Sequence, residues 1–150
     1  MTVETGHTAR VRQSIAAPLN VVFEAWTRPE QLKEWSCPEG ATIDDVRVDL
    51  RMGGSYRIRM RGAEGETYTA FGEYREIDAP HRLVYTWDWE EDQHQVGETL
   101  VSVLFEATTS GGTDVTIVHS GFPAPEAAEG HDTGWSSCLS RLKGLLGGEG

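Results

Sequence analysis

The chain has 150 residues, 38% hydrophobic and 25% charged, the size and balance of one ordinary globular domain that buries about 70% of the surface its unfolded form exposes. Its apolar runs fall short of the roughly 20 residues of a membrane helix, and Met1 to Arg12 lacks the apolar stretch of a secretory signal, so a cytoplasmic, non-membrane protein is expected. A net charge of −11 offers no basic footprint for a phosphate backbone, which sets nucleic acid aside as a partner.

Val11, Gln13 and Ile15 alternate with Arg10, Arg12 and Ser14, the period of a strand with one buried face. Ala17-Pro18 then opens a helix in which Val22, Ala25 and Trp26 recur at helical spacing until Thr27-Arg28-Pro29 stops it. Pro29 begins a second short helix that turns Leu32 and Trp35 inward, and Cys37-Pro38-Glu39-Gly40 returns the chain to the sheet. From Thr42 onward the pattern is β. Val46, Val48 and Leu50 alternate with Arg47, Asp49 and Arg51, and Gly53-Gly54 leads into Tyr56, Ile58 and Met60 alternating with Arg57, Arg59 and Arg61. Those three arginines read either as the solvent face of the sheet, paired with nearby acids, or as a basic binding patch.

A strand from Tyr68 to Ile77 follows the turn Gly62-Ala63-Glu64-Gly65, and after Asp78-Ala79-Pro80 another places Leu83, Tyr85, Trp87 and Trp89 on one face. Asp88, Glu90, Glu91 and Asp92 form an acidic knot in a second half that holds 3 Lys+Arg against 13 Asp+Glu over residues 76–150. The knot is read as a solvated hairpin tip rather than a cation site. Val101, Val103 and Phe105 look inward, and Ser110-Gly111-Gly112 turns into Val115, Ile117 and His119, completing seven strands. Beyond Phe122-Pro123-Ala124-Pro125, a helix from about Glu126 to Leu146 ends at Gly147-Gly148. Ala127, His131, Trp135, Cys138, Leu142, Leu145 and Leu146 make its apolar stripe.

One α+β domain over residues 1–150, with an ordered core of about 8–147, accommodates this order: a single antiparallel sheet with its helices on one side. Cys37 and Cys138 are expected as free thiols, since their separation fits no zinc spacing. Gly130 and Gly134 each cost the last helix roughly 1 kcal/mol relative to alanine, for which two reasons stand: a gap at a pocket mouth, or close packing of helix on sheet.

Four segments resemble the activator of heat-shock-protein-90 ATPase homologue-like (AHSA-type) domains of the START-like, or SRPBCC, superfamily. They are Glu24-Ala-Trp-Thr-Arg-Pro-Glu-Gln-Leu-Lys-Glu-Trp35, Val48-Asp-Leu-Arg-Met-Gly-Gly54, Pro80-His-Arg-Leu-Val-Tyr-Thr-Trp87, and Gly134-Trp135 followed by Leu139, Leu142 and Leu146. The resemblance implies a helix-grip fold, in which a curved seven-stranded sheet wraps a long C-terminal helix and leaves a cavity between them, with two short helices after the first strand. It also implies a range of roles: binding lipids, sterols or polyketides, cyclase or hydrolase chemistry, sequestering reactive compounds, or stimulating a chaperone in a stress response. Cys37 departs from the relatives, which often carry a glycine or an aromatic residue before that proline.

Trp35, Tyr56, Tyr85, Trp87, His119, Phe122, His131 and Trp135 are the expected lining of that cavity, whose occupant would be a small hydrophobic or aromatic molecule. His119, on the inward face of the last strand, either orients a ligand or shuttles a proton, or is a satisfied structural histidine. His131 can meet it across the cavity, and Glu73 is a third acid/base candidate for a cyclase, hydratase or hydrolase. No nucleophile elbow, phosphate loop or dinucleotide fingerprint is present, no cofactor is called for, and no metal set can be assembled. A chaperone or other protein docking on the acidic second half is the remaining reading, with the chain acting as a monomer or homodimer.

Overall fold

Seven stretches of alternating side chains become seven antiparallel strands in the computed structural model of the chain, which describes residues 7–90 and 97–147. In chain order the elements are β1 (His7–Ile15), α1 (Leu19–Thr27), α2 (Pro29–Trp35), β2 (Thr42–Val48), β3 (Ser55–Arg61), β4 (Thr67–Asp78), β5 (Arg82–Trp89), β6 (Thr99–Ala107), β7 (Thr113–Phe122) and α3 (Pro125–Gly147). The strands form one sheet in the order β1-β7-β6-β5-β4-β3-β2. Strands β2 to β7 are a meander of neighbours, and β1 adds to the far edge beside β7, pairing Ile15 with Thr113 and Val11 with Ile117. Helices α1 and α2 therefore carry the chain from one sheet edge to the other.

The prolines set the short helices. Pro18 caps α1 with extended backbone at φ −63° and ψ 157°, one position earlier than the first helical turn expected of it. Arg28, forced out of the helical region by the following Pro29, lies at φ −96° and ψ 126° and serves as the C-cap of α1 and the N-cap of α2. At the β2–β3 connection Gly53 takes φ +79°, and a Cβ at Gly54 would collide with the Asp49 carbonyl oxygen, so both glycines are required by the turn.

The core lies between the inner sheet face and the helices. Val101, Val103, Phe105, Val115 and Ile117 on β6 and β7 are almost wholly shielded, and Phe23, Trp26 and Trp35 pack onto them from α1 and α2. Phe105 meets Phe23 and Trp26 edge-on at 5.4 and 5.5 Å between ring centres. From α3, Trp135, Cys138, Leu139 and Leu142 complete the core, and the helix rests on β1, β7 and α2.

Two expected core positions are corrected. Leu50 falls beyond the end of β2 and is 42% exposed, because Asp49 already bonds back to Ser55 to start the turn. Leu145 is 47% exposed, since the buried side of α3 runs through Leu139 and Leu142 instead. On the outer face Arg57 grips Glu90 through two bonds of 2.6 and 2.9 Å, and Arg61 reaches Asp44 at 2.7 Å, so these two arginines are committed to the paired solvent face. Glu91 and Asp92 of the acidic knot lie outside the described residues. No helix among the described residues is long and apolar enough to cross a membrane.

The two ends of α3 predict different mutational costs. Leu142→Ala, at a fully buried site, is expected to lower unfolding free energy by about 2–5 kcal/mol. Leu145→Ala should stay within about 0.5 kcal/mol of wild type. Urea denaturation followed by far-ultraviolet circular dichroism measures both.

Candidate functional site

Towards its start, α3 stands away from the sheet and leaves a cavity of about 370 Å3. The sheet supplies its floor through Met60 of β3, Tyr68 of β4, and Trp87 and Trp89 of β5. Helix α3 forms the roof with Ala127, Gly130, His131, Gly134, Trp135 and Cys138, and Ser36, Pro38 and Ala41 of the loop after α2 close one side. Neither helical glycine is held by close packing. A Cβ built on Gly130 meets nothing within 4 Å, and one on Gly134 would come no nearer than 3.9 Å to Pro38 Cγ. Of the two reasons open in the sequence, the space they leave is the one the geometry supports. Behind the cavity lies an inner void of about 30 Å3 among Trp26, Trp35, Tyr56 and Tyr85, and both spaces share Ser36, Trp87 and Trp135 as lining.

His119 sits in the wall behind this cavity, 0% exposed. Trp135 Nε1–H donates to its Nδ1 at 3.0 Å, so that nitrogen carries no proton. The proton is then on Nε2, which lies 2.7 Å from Thr99 Oγ1, and the Thr99 hydroxyl donates in turn to the Trp87 carbonyl at 2.9 Å. Burial, with His131 adding to it, pushes the His119 pKa down to about 2, because a charged imidazolium is stripped of water there. His119 thus enters no proton transfer without giving up one of these bonds.

His131 uses the opposite tautomer. Trp89 Nε1–H donates to its Nε2 at 3.1 Å, leaving Nδ1–H to face the Ala127 carbonyl at 2.8 Å. The two imidazole ring centres are 5.2 Å apart, and the centre of the Phe122 ring lies 4.4 and 4.5 Å from them. Four of the five indole N–H groups find acceptors: Trp26 on Tyr85 Oη, Trp35 on the Ala25 carbonyl, Trp89 on His131 and Trp135 on His119. Trp87 Nε1 is buried without a partner, which costs about 1–3 kcal/mol while it stays so.

Of the eight expected lining residues, Trp87, His131 and Trp135 face the cavity. Trp35, Tyr56 and Tyr85 line the inner void with Trp87 and Trp135. His119 stands one layer back, and Phe122 belongs to a small separate cluster with Ala9 and Ala128. Glu73 is exposed, because the register sets it opposite exposed Ser55 on the outer face of the sheet. Met60, Tyr68, Trp89 and Cys138 were not among the expected lining. The signal for Trp89 and Met60 was their phase, two residues beyond Trp87 and Ile58 on the same face.

Cys37 and Cys138 are free and buried. Burial raises the Cys138 pKa to about 12. Cys37 is also raised by burial, against the opposing pull of Arg141. Arg141 Nη1 donates to the Cys37 carbonyl at 2.9 Å and its Sγ at 3.1 Å, binding the loop after α2 to α3. Three or more His, Cys, Asp or Glu side chains placed to hold a metal ion are not found among the described residues.

A family model described as Activator of Hsp90 ATPase homolog 1-like protein matches residues 16–147. The fold is similar to that of a solved protein from Chromobacterium violaceum, 26% identical with a TM-score of 0.84 over 93% of this chain and 96% of that one. A Nitrosomonas europaea protein is 27% identical with a TM-score of 0.77 over 93% of each chain. The AHSA1 protein from Silicibacter pomeroyi is 23% identical with a TM-score of 0.82, over 93% of this chain and 97% of that one, a likeness of fold alone. No curated protein matches the chain in sequence.

The His119 network predicts a pH signature. With a folded pKa near 2 against an unfolded value of about 6.5, the unfolded state takes up the proton first, so stability falls as pH drops below about 6.5. Relative to His119→Gln, which lacks this titration, wild type should lose up to about 1.4 kcal/mol per pH unit below that point. Urea denaturation of both proteins between about pH 7 and about pH 4.5, a range that lies between the two pKa values at its acid end, checks the slope; parallel curves would refute it.

Proposed function

Since the chain belongs to the Activator of Hsp90 ATPase homolog 1-like family, we propose that it binds a small apolar or aromatic molecule in the cavity between β3–β5 and α3. The carrying observation is the cavity itself: about 370 Å3, walled by Met60, Trp87, Trp89 and Trp135 and kept open by Gly130 and Gly134. That volume lies within the ~300–1,000 Å3 of small-molecule sites, and an apolar wall with few polar groups is their usual make-up. Flat aromatic walls suit flat ligands, because ring faces and edges give directional contacts beyond simple area burial.

Binding is favoured over catalysis by the state of the imidazoles. A general base needs a free lone pair within reach of substrate, whereas His119 Nδ1 and His131 Nε2 each already accept an indole N–H. Docking of a protein on the acidic second half has less support: Glu90 is occupied by Arg57.

Titration with the neutral fluorophore N-phenyl-1-naphthylamine tests the reading. Saturable binding is expected in wild type, and Gly134→Leu, which fills the space below α3, should weaken it at least tenfold. The same substitution should leave stability unchanged or raise it by up to about 1 kcal/mol, as it removes a helical glycine. Absence of saturable binding, or equal affinity in the two proteins, would overturn the proposal.

A further inference from the structure

The cavity's polar equipment narrows the class of molecule it accepts. Trp87 is 6% exposed, lines both the cavity and the inner void, and is the one tryptophan whose N–H lacks an acceptor. With Ser36 and Trp135 it is shared by the two linings, so its ring borders both spaces. The neighbouring polar groups leave Trp87 unserved. Ser36 Oγ–H is committed to the Leu32 carbonyl at 2.7 Å, and the Thr99 hydroxyl bonds the Trp87 carbonyl rather than its indole.

The charge of the lining selects further. Among the described residues no lysine or arginine lines the cavity, and the exposed Glu126 does. Arg141, on the same helix, spends Nη1 on the carbonyls of Cys37 and Pro38 and on Cys37 Sγ. A carboxylate or phosphate would therefore enter without a counter-ion, against Glu126 and a chain of net charge −11. An ammonium group would be drawn to Glu126, and its charged nitrogen carries no lone pair for Trp87.

We infer that the ligand is an uncharged, ring-containing molecule with a hydrogen-bond acceptor, such as an aryl ketone or quinone oxygen, that takes up the Trp87 indole N–H. This rests on the binding reading above and adds the ligand's charge and its polar anchor. The apolar body lies against Met60, Trp89 and Trp135, and its oxygen lies towards the junction with the void.

Three probes of one shape separate the parts: 2-acetonaphthone, 2-isopropenylnaphthalene, in which a methylene replaces the ketone oxygen, and 2-naphthoate. Because the alkene is the more apolar, the informative quantity is the ketone-to-alkene affinity ratio, compared between wild type and Trp87→Phe. That ratio should fall about tenfold in the variant, which keeps an aromatic face and loses the N–H. In wild type the Trp87 indole 1H resonance should move downfield with the ketone and not with the alkene, a readout that stands even if Trp87→Phe does not fold. The naphthoate should bind at least tenfold more weakly than the ketone. An unchanged ratio, or an indole proton that ignores the ketone while both neutral probes bind, would overturn the anchor and leave apolar binding intact. Tightest binding by naphthoate would overturn the neutral class, and failure of all three to bind would sink this inference together with the reading beneath it.

Discussion

One buried hydrogen-bond chain sets the height of the roof above the floor. It runs from the Trp135 indole through His119 and the Thr99 hydroxyl to the backbone of Trp87, tying α3 to β7, β6 and β5 in succession. Apolar contact alone would draw the helix down onto the sheet with little regard to its rotation or tilt. These bonds are directional, and each donor meets an acceptor inside the protein, where leaving one unmade is costly. The second imidazole repeats the device nearer the start of the helix, accepting the Trp89 indole N–H and donating its Nδ1–H to the Ala127 carbonyl of its own helix.

Held in that way, α3 is used differently along its length. Its later turns carry Leu139 and Leu142, which are fully buried in the core. Its earlier turns carry Gly130 and Gly134, which fill nothing, over a floor of tryptophans. The contrast between a packed end and an open end makes a cavity rather than a uniformly loose core. Arg141 adds a strap from the same helix to the loop that forms the side wall, through carbonyls of Cys37 and Pro38.

Much of this was legible in the residues. Alternation placed all seven strands, and Pro18, Pro29 and Gly53-Gly54 placed the breaks, because each of these acts through local backbone geometry that needs no knowledge of the fold. The cavity was less legible, for a physical reason: period alone says that Trp35, Tyr56, Tyr85, Trp87 and Trp135 face inward, not which part of the interior is filled. Trp35, Tyr56 and Tyr85 went to the inner void and Trp89 to the cavity because strand register and the stance of α3 decide depth, and both are long-range properties. His119 was correctly placed inward, but its state depended on partners at positions 99 and 135, which no local pattern links to it. Leu145 is exposed while Leu139 and Leu142 on the same helix are fully buried, a difference in depth that the apolar stripe alone does not reveal.

The strand order has a consequence for how the molecule comes together. Strands β2 to β7 each pair with the next in sequence and can zip up as successive hairpins, whereas β1 must wait for β7, with Ile15 meeting Thr113 and His7 meeting Phe122. Closing so long a span is slow relative to hairpin formation. On a ribosome the first strand emerges with no partner until β7 has been made, whereas α2 meets β2, the next element, and α1 meets β6. The tryptophan floor of Trp87 and Trp89 is thus covered only once α3, which follows every strand in the chain, has been made.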